Sequence, residues 1–153
     1  MKKQFLTLCL VVHDEQVLLG YKKRGFGAGL WNGFGGKVSD GEDIEIAALR
    51  ELQEEAGITV KKLIHTGTLH LYYDEKPQEE LIVYVYRGAE VVGELIESEE
   101  MRPQWFKIGE IPYRTMWPDD TFWLPKFLKG EKFTGTFYFD ESREIKSHKL
   151  VIS

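Results

Sequence analysis

Apolar and β-branched residues fill 5–12 (FLTLCLVV) and 16–21 (QVLLGY), and the polar stretch His13-Asp14-Glu15 separates them. That pattern predicts a β-hairpin. Segments 62–73 (KLIHTGTLHLYY), 81–88 (LIVYVYRG) and 133–139 (FTGTFYF) have the composition of strands, with 74–80 (DEKPQEE) as a hairpin loop. Residues 105–112 (WFKIGEIP) predict a strand followed by a turn. Only 42–57 (EDIEIAALRELQEEAG) has a clear helical period: Ile46, Leu49, Leu52 and Ala56 share a face predicted to enter the core, and Gly57 supplies the stop. A second helix is expected over 119–130, capped by Asp119 or Asp120, although Pro125 opposes a regular one. Residues 25–37 (GFGAGLWNGFGGK) are too rich in glycine for either element. No linker or repeat interrupts the chain. Strands outnumber helices and helices fall between groups of strands, so the expectation is one α/β domain over 1–153, a mixed sheet flanked by helices.

Charge narrows the partners. The net charge is −5 and no run of Lys or Arg exceeds two residues. A nucleic-acid polymer needs a basic stripe to displace counterions, so long DNA or RNA is excluded as the expected partner. An acidic chain still accepts a small phosphate ester when a divalent metal carries the positive charge. Aromatics at 13% favour a stacking ligand only weakly, because they also fill cores. Cys9 is the only cysteine, so no intrachain disulfide is expected, and within FLTLCLVV it reads as a small buried apolar residue. The apolar run after MKKQF is too short to span a membrane, and no small-residue cleavage site follows it. A soluble, cytoplasmic monomer without heptads is the expectation.

The acidic helix raises the chemical question. A helix advances about 100° per residue, so Glu54 and Glu55 lie close to Glu51 on its surface. Like charges at i,i+4 cost a helix roughly 0.2–0.5 kcal/mol per pair. Two explanations are open: plain solvation of a face pointing away from the core, or a bound hard cation such as Mg²⁺ or Mn²⁺. Ala47 and Ala48 beside the glutamates are read as leaving room for a ligand. The preceding loop excludes three familiar sites. A Walker A loop fails because Trp31 stands six before Lys37 and Val38 follows it. A dinucleotide fingerprint fails because Leu30 replaces the third glycine. An EF-hand fails because Gly36 and Val38 fall on ligand positions.

A longer pattern fits. Gly36, five residues, Glu42, seven residues, Arg50-Glu51-Leu52, one residue, Glu54-Glu55, one residue and Gly57-Ile58 fill every fixed position of the Nudix box. The chain therefore resembles the Nudix hydrolases, which cleave nucleoside diphosphates linked to another group. The resemblance implies an α/β/α sandwich around a central mixed β-sheet. It implies metal ligation by Glu51, Glu54 and Glu55 with the backbone carbonyl of Gly35, and an orienting, partly neutralising role for Arg50. Arg50 also reads as a surface ion pair. Glu42 is given a structural role. Mg²⁺, with Mn²⁺ as substitute, would neutralise phosphate oxygens and activate a water, with Glu55 or Glu51 as general base.

Beyond the box, segments 22–37, 50–57, 100–106 (EMRPQWF) and 116–120 (MWPDD) resemble one Nudix branch, the mammalian-type hydrolases of oxidised purine nucleoside triphosphates such as 8-oxo-dGTP. Carried over position by position, Thr7, Lys22, Phe26, Asn32, Trp117, Asp119 and Asp120 would line the nucleotide pocket, and Glu100 would add a metal ligand. The implied reaction yields the monophosphate and pyrophosphate. Trp117 would stack on the base and Asn32 would meet its edge. If Asp119 and Asp120 share a dry pocket, one should keep its proton, giving a donor beside acceptors. Helix capping for the two aspartates, and core packing for Trp117, Trp123 and Phe139, are the competing readings. Glu97 and Glu99 read as solvated. His13, His65, His70 and His148 match nothing catalytic. Leu71 and Leu81 depart from the branch, and the loop around Lys76 is longer by one residue. Other Nudix substrates, such as dinucleoside polyphosphates or alkylated purine nucleotides, stay open, as does a non-catalytic nucleotide sensor.

Overall fold

The structure, a computed structural model, describes residues 1–153. The N-terminal hairpin forms as β1 (Lys2–His13) and β2 (Gln16–Lys22). The two strands stay paired only from Val11 to Leu18 and then diverge. The glycine-rich segment fills the opening. It includes a two-residue strand, β3 (Trp31–Asn32), which pairs with β2. It then runs beside β1, where Phe34 and Cys9 exchange both backbone hydrogen bonds and the Thr7 N–H donates to the Gly36 carbonyl at 2.9 Å. The segment stays irregular as its glycines predict, with only that two-residue strand and isolated bridges at Phe34 and Lys37, and it forms a wedge against β1.

The remaining order is α1 (Ile44–Ala56), β4 (Thr59–Tyr73), β5 (Glu79–Val92), β6 (Met101–Lys107), α2 (Asp120–Leu128), β7 (Phe133–Phe139) and β8 (Ile145–Ile152). Single 3-10 turns occupy 108–110, where a plain turn was expected, and 113–115. One sheet runs β3-β2-β1-β5-β4-β7-β8, with β6 also paired to β2. β1 with β5 and β4 with β7 are parallel and the other pairs antiparallel, so the sheet is mixed. β8 has no counterpart among the expected strands.

Each face of the sheet carries one core, because side chains alternate along a strand. Leu8 and Leu10 of β1 join Val83, Val85, Phe133, Phe137 and the α2 residues Trp123, Leu124 and Phe127. Cys9 and Val11 face the other way, toward Leu52 and Ala56 of α1 and Phe34 of the wedge. Burial pushes the Cys9 thiol up to about 12, consistent with an inert core residue.

Helix α1 is closed at both ends. Asp43 accepts from the Glu45 and Ile46 N–H groups, and Gly57 turns left-handed at φ 74°. Its buried face differs from the expected one. Ile46 is 60% exposed and Leu49 only half-buried, whereas Ala47 and Ala48 are fully buried with Leu52 and Ala56. The alanines are the contact that lets the helix sit close to the sheet, not an open shelf beside the glutamates. In α2, Asp119 occupies the N-cap position but makes no capping bond. Its carboxylate accepts from Trp123 Nε1 at 2.8 Å instead, so capping by an aspartate side chain does not occur there.

Candidate active site

The wedge delivers its glycines against α1. A Cβ at Gly35 would lie 1.7 Å from the Thr7 carbonyl oxygen, so only glycine lets the wedge lie on β1. That contact points the Gly35 N–H at Glu55, whose Oε1 accepts it at 2.8 Å. A Cβ at Gly36 would stand 2.7 Å from Glu51 Oε1, in space the carboxylate uses.

The glutamates of α1 are therefore not equivalent. Burial pushes Glu55 up to about 8, with repulsion from Glu51 and Glu100 in the same direction and the Gly35 N–H and Lys22 opposing. Burial also raises Glu51, against the pull of Arg50. Glu54 is largely in water. Arg50 ties the group together. It grips Glu42 with two bonds, at 2.8 and 3.1 Å, and reaches Glu51 at 2.9 Å, Glu54 at 3.3 Å and the Lys37 carbonyl at 3.2 Å. Arg50 and the Ser39 N–H hold the Glu42 carboxyl down at about 2. Glu42 is thus a clasp joining the loop to the helix.

A cavity of about 170 Å³ opens from Glu55 and runs between the sheet and α2. Lys22 and Gly35 line it beside the glutamate, and Phe26, Asn32, Trp117, Asp119 and Asp120 line the rest. Leucine side chains, including Leu6, Leu8, Leu71 and Leu81, supply an apolar floor. Asp119 and Asp120 are 4% and 3% exposed, and Asp120 Oδ2 has no hydrogen-bond partner. Burial raises both carboxyls, and the charge of Asp119 raises Asp120 further. Burial and the neighbouring charge thus favour the protonated form of Asp120, beside an Asp119 carboxylate fixed by Trp123. Asn32 spends its Oδ1 on the Gly33 N–H at 2.8 Å, leaving its amide N–H groups to the cavity.

The family model of the NUDIX domain matches residues 3–127. The chain belongs to the Nudix family. The mouse protein named oxidized purine nucleoside triphosphate hydrolase is 49% identical over 94% of this chain and 92% of its own length. The zebrafish protein of the same name is 50% identical over 96% and 94%. A crystal structure of a MutT protein from Bacillus halodurans superposes with a TM-score of 0.86 at 33% identity, covering 96% of this chain and 97% of that one. The mixed sheet between two helices is thus the Nudix α/β/α sandwich.

Among the residues singled out from the sequence, the Nudix cavity brings together Lys22, Phe26, Asn32, Gly35, Glu55, Trp117, Asp119 and Asp120. Thr7 is not among its walls. Leu6 and Leu8 on either side line it, while Thr7 lies on the α1 face with its hydroxyl buried and unpartnered. Glu100 is turned to Arg24 at 2.8 Å, and Glu97 and Glu99 are solvated as expected, in surface pairs with Lys23 and Arg24. Phe139 is fully buried behind Tyr73 and Trp117 as core. His13, His65, His70 and His148 all lie outside the cavity. Tyr73, Met101 and Trp123 also line it, and the sequence reading did not place them there. Alternation along β4 from Leu69 and Leu71 was the available signal for Tyr73.

The proposed ligands fit a hard divalent ion in kind. They are carboxylates plus a carbonyl, two of them half-buried, with Glu55 raised partly by its acidic neighbours. No three of the carboxylates stand close enough together in this structure to coordinate one ion. Arg50 occupies Glu51, Arg24 occupies Glu100 and the Gly35 N–H occupies Glu55. No helix is long and apolar enough to cross a membrane.

Proposed function

We propose that this chain hydrolyses oxidised purine nucleoside triphosphates, of the 8-oxo-dGTP and 2-hydroxy-dATP kind, to the monophosphate and pyrophosphate. The observation that carries the reading is a single cavity with a half-buried glutamate of raised proton affinity at one end and a dry aspartate pair at the other. The names of the mouse and zebrafish relatives support it.

At the far end, Trp117 offers a face for a purine ring. The Asp120 O–H, the Asp119 carboxylate and the Asn32 amide offer donors and acceptors to its edges. An ordinary purine that mismatches this set leaves a buried polar group unpaired, at roughly 1–3 kcal/mol. At the near end, Lys22 offers positive charge to the phosphates. Glu51, Glu54, Glu55 and Glu100, with the Gly35 carbonyl, would hold Mg²⁺, or Mn²⁺ in its place. When bound, the ion supplies neutralisation of phosphate oxygens and a more acidic water. Glu55 is the better-placed general base, because burial has lifted its proton affinity close to neutral pH, where a base works best. Glu51 is the second candidate. The water oxygen adds to the β-phosphorus, its proton passes to the glutamate, and the α–β bridging oxygen leaves with the monophosphate. Action as a monomer in a soluble, cytoplasmic setting belongs to the same reading.

The test is a hydrolysis panel with Mg²⁺, comparing 8-oxo-dGTP with dGTP and a dinucleoside polyphosphate. Preference for the oxidised purine with pyrophosphate release is expected; orthophosphate as the product refutes the cleavage mode. Glu55→Gln should keep the thermal midpoint and remove most turnover. An unchanged rate rejects the glutamate assignment.

A further inference from the structure

Phe26 forms a wall of the cavity on a backbone flanked by Gly25 at φ 83° and Gly27 at φ 87°. Such a segment has freedom to swing, so something must hold its ring. On one side Phe26 stacks on Trp117, centroids 5.1 Å apart and planes 29° from parallel. Tyr73 meets it edge-on with centroids 5.3 Å apart, and two cations from outside the cavity add to the grip. Lys76 Nζ, on the β4–β5 loop, lies 3.9 Å from the Phe26 centroid. Arg143 Cζ, in the β7–β8 turn, lies 4.5 Å from Phe26 and 5.3 Å from Trp117.

The turn carrying Arg143 is built to aim it. Asp140 Oδ1 accepts from the Ser142 and Glu144 N–H groups at 2.8 and 3.0 Å, and the Arg143 N–H donates to the Asp140 carbonyl. This turn holds Arg143 at φ 64°, a region that favours glycine. Its guanidinium is fixed by Glu75 Oε1 at 2.8 Å, one residue before Lys76. Two hairpins from different parts of the chain thus meet on one aromatic ring.

We propose that Lys76 and Arg143 are positioning residues that keep the Phe26–Trp117 stack in its ring-binding arrangement, and so set affinity for the base without touching it. The proposal rests on the reading of this cavity as a purine site. Removing the cations leaves Phe26 competent for only part of the time, and apparent affinity falls by that fraction. Cation–π contacts at half-exposed sites are individually modest, so losing both should weaken binding about three- to ten-fold. Turnover depends on Glu55 at the opposite end and should not follow.

The experiment compares the double variant Lys76→Ala/Arg143→Ala with Arg143→Lys and Lys146→Ala. Lys146 pairs with Asp74 at 2.8 Å, linking the same two hairpins without touching a ring. KM and kcat for 8-oxo-dGTP, the metal-free Kd for 8-oxo-dGMP from tryptophan quenching, and amide exchange over 25–29 are the readouts. KM and Kd should rise together in the double variant, with kcat held and exchange faster. Arg143→Lys should recover most of the effect and Lys146→Ala should match the unaltered chain. Wild-type KM and exchange in the double variant overturn the proposal. An equal effect from Lys146→Ala also overturns it, because hairpin tethering would then be the cause. If the unaltered chain neither binds nor hydrolyses any purine nucleotide, the functional reading fails instead, and amide exchange alone still decides whether the cations order Phe26.

Discussion

Asp120 carries a buried carboxyl oxygen with no partner, next to a second carboxyl of its own sign. The folded chain therefore binds protons on this pair more tightly than the unfolded chain does. For an acid raised by folding, the sign is the reverse of the usual salt-bridged case. Stability from the pair is full below the unfolded value of about 3.9 and is lost as pH rises through the folded values. Asn at 120 cannot ionise, so Asp120→Asn should gain in thermal midpoint over the unaltered chain, by more at pH 8 than at pH 4. Thermal unfolding at both pH values measures it; an equal difference at the two would deny the buried proton. The sequence displayed the carboxylates but not their surroundings. Glu54 and Glu55 are neighbours in one acidic run, yet only Glu55 meets the Gly35 N–H. That difference arises from a wedge packed against β1, a long-range contact that no local pattern encodes. Thr7 shows the same limit. The resemblance names it, and only strand alternation assigns its side chain to the α1 face.

Elements with strong local signals were legible and those defined by partners were not. Helix α1 announces itself by its period and Gly57, and β1, β2, β4, β5 and β7 by composition. Strand β8 was invisible because it is an edge strand: only Ile145 and Leu150 are half-buried among exposed Lys, Ser and His. Pro125 argues against α2 at roughly 3 kcal/mol. Burying Trp123, Leu124 and Phe127 contributes about 1.5–3 kcal/mol each, which outweighs it. The wedge is the element on which the site depends most. Gly35→Ala would drive a methyl group into the Thr7 carbonyl, and forced overpacking costs typically 1–3 kcal/mol. The expected outcome is a urea midpoint lowered accordingly, with turnover per folded molecule falling further because Glu55 loses its backbone donor. A folded Gly35→Ala chain with normal turnover would show that the wedge does not position the glutamate.

At the scale of the molecule, the sheet divides the labour of the site. The α1 side packs Leu52 and Ala56 against Cys9, Val11 and Phe34, and so sets where Glu51 and Glu55 stand relative to the wedge. The α2 side packs Trp123, Leu124 and Phe127 against β4 and β7, and so sets the walls of the proposed base pocket. Substitutions in the two cores should therefore lose similar stability yet different kinetics. Leu52→Ala empties a fully buried site, a change that costs roughly 2–5 kcal/mol. Phe127→Ala does likewise on the other face, at roughly 3–5 kcal/mol. Measured below the melting transition, Leu52→Ala should lower kcat with KM nearly kept, because the carboxylates shift against the phosphates. Phe127→Ala should raise KM for the oxidised purine with kcat nearly kept, because Trp123 loses its edge-on neighbour and Asp119 its fixed donor. The two cavities lie on opposite faces, so the effects in the double variant should add within about 0.5 kcal/mol. If both substitutions instead change kcat and KM in parallel, the sheet transmits the disturbance as one body and the two ends of the cavity are not independently built.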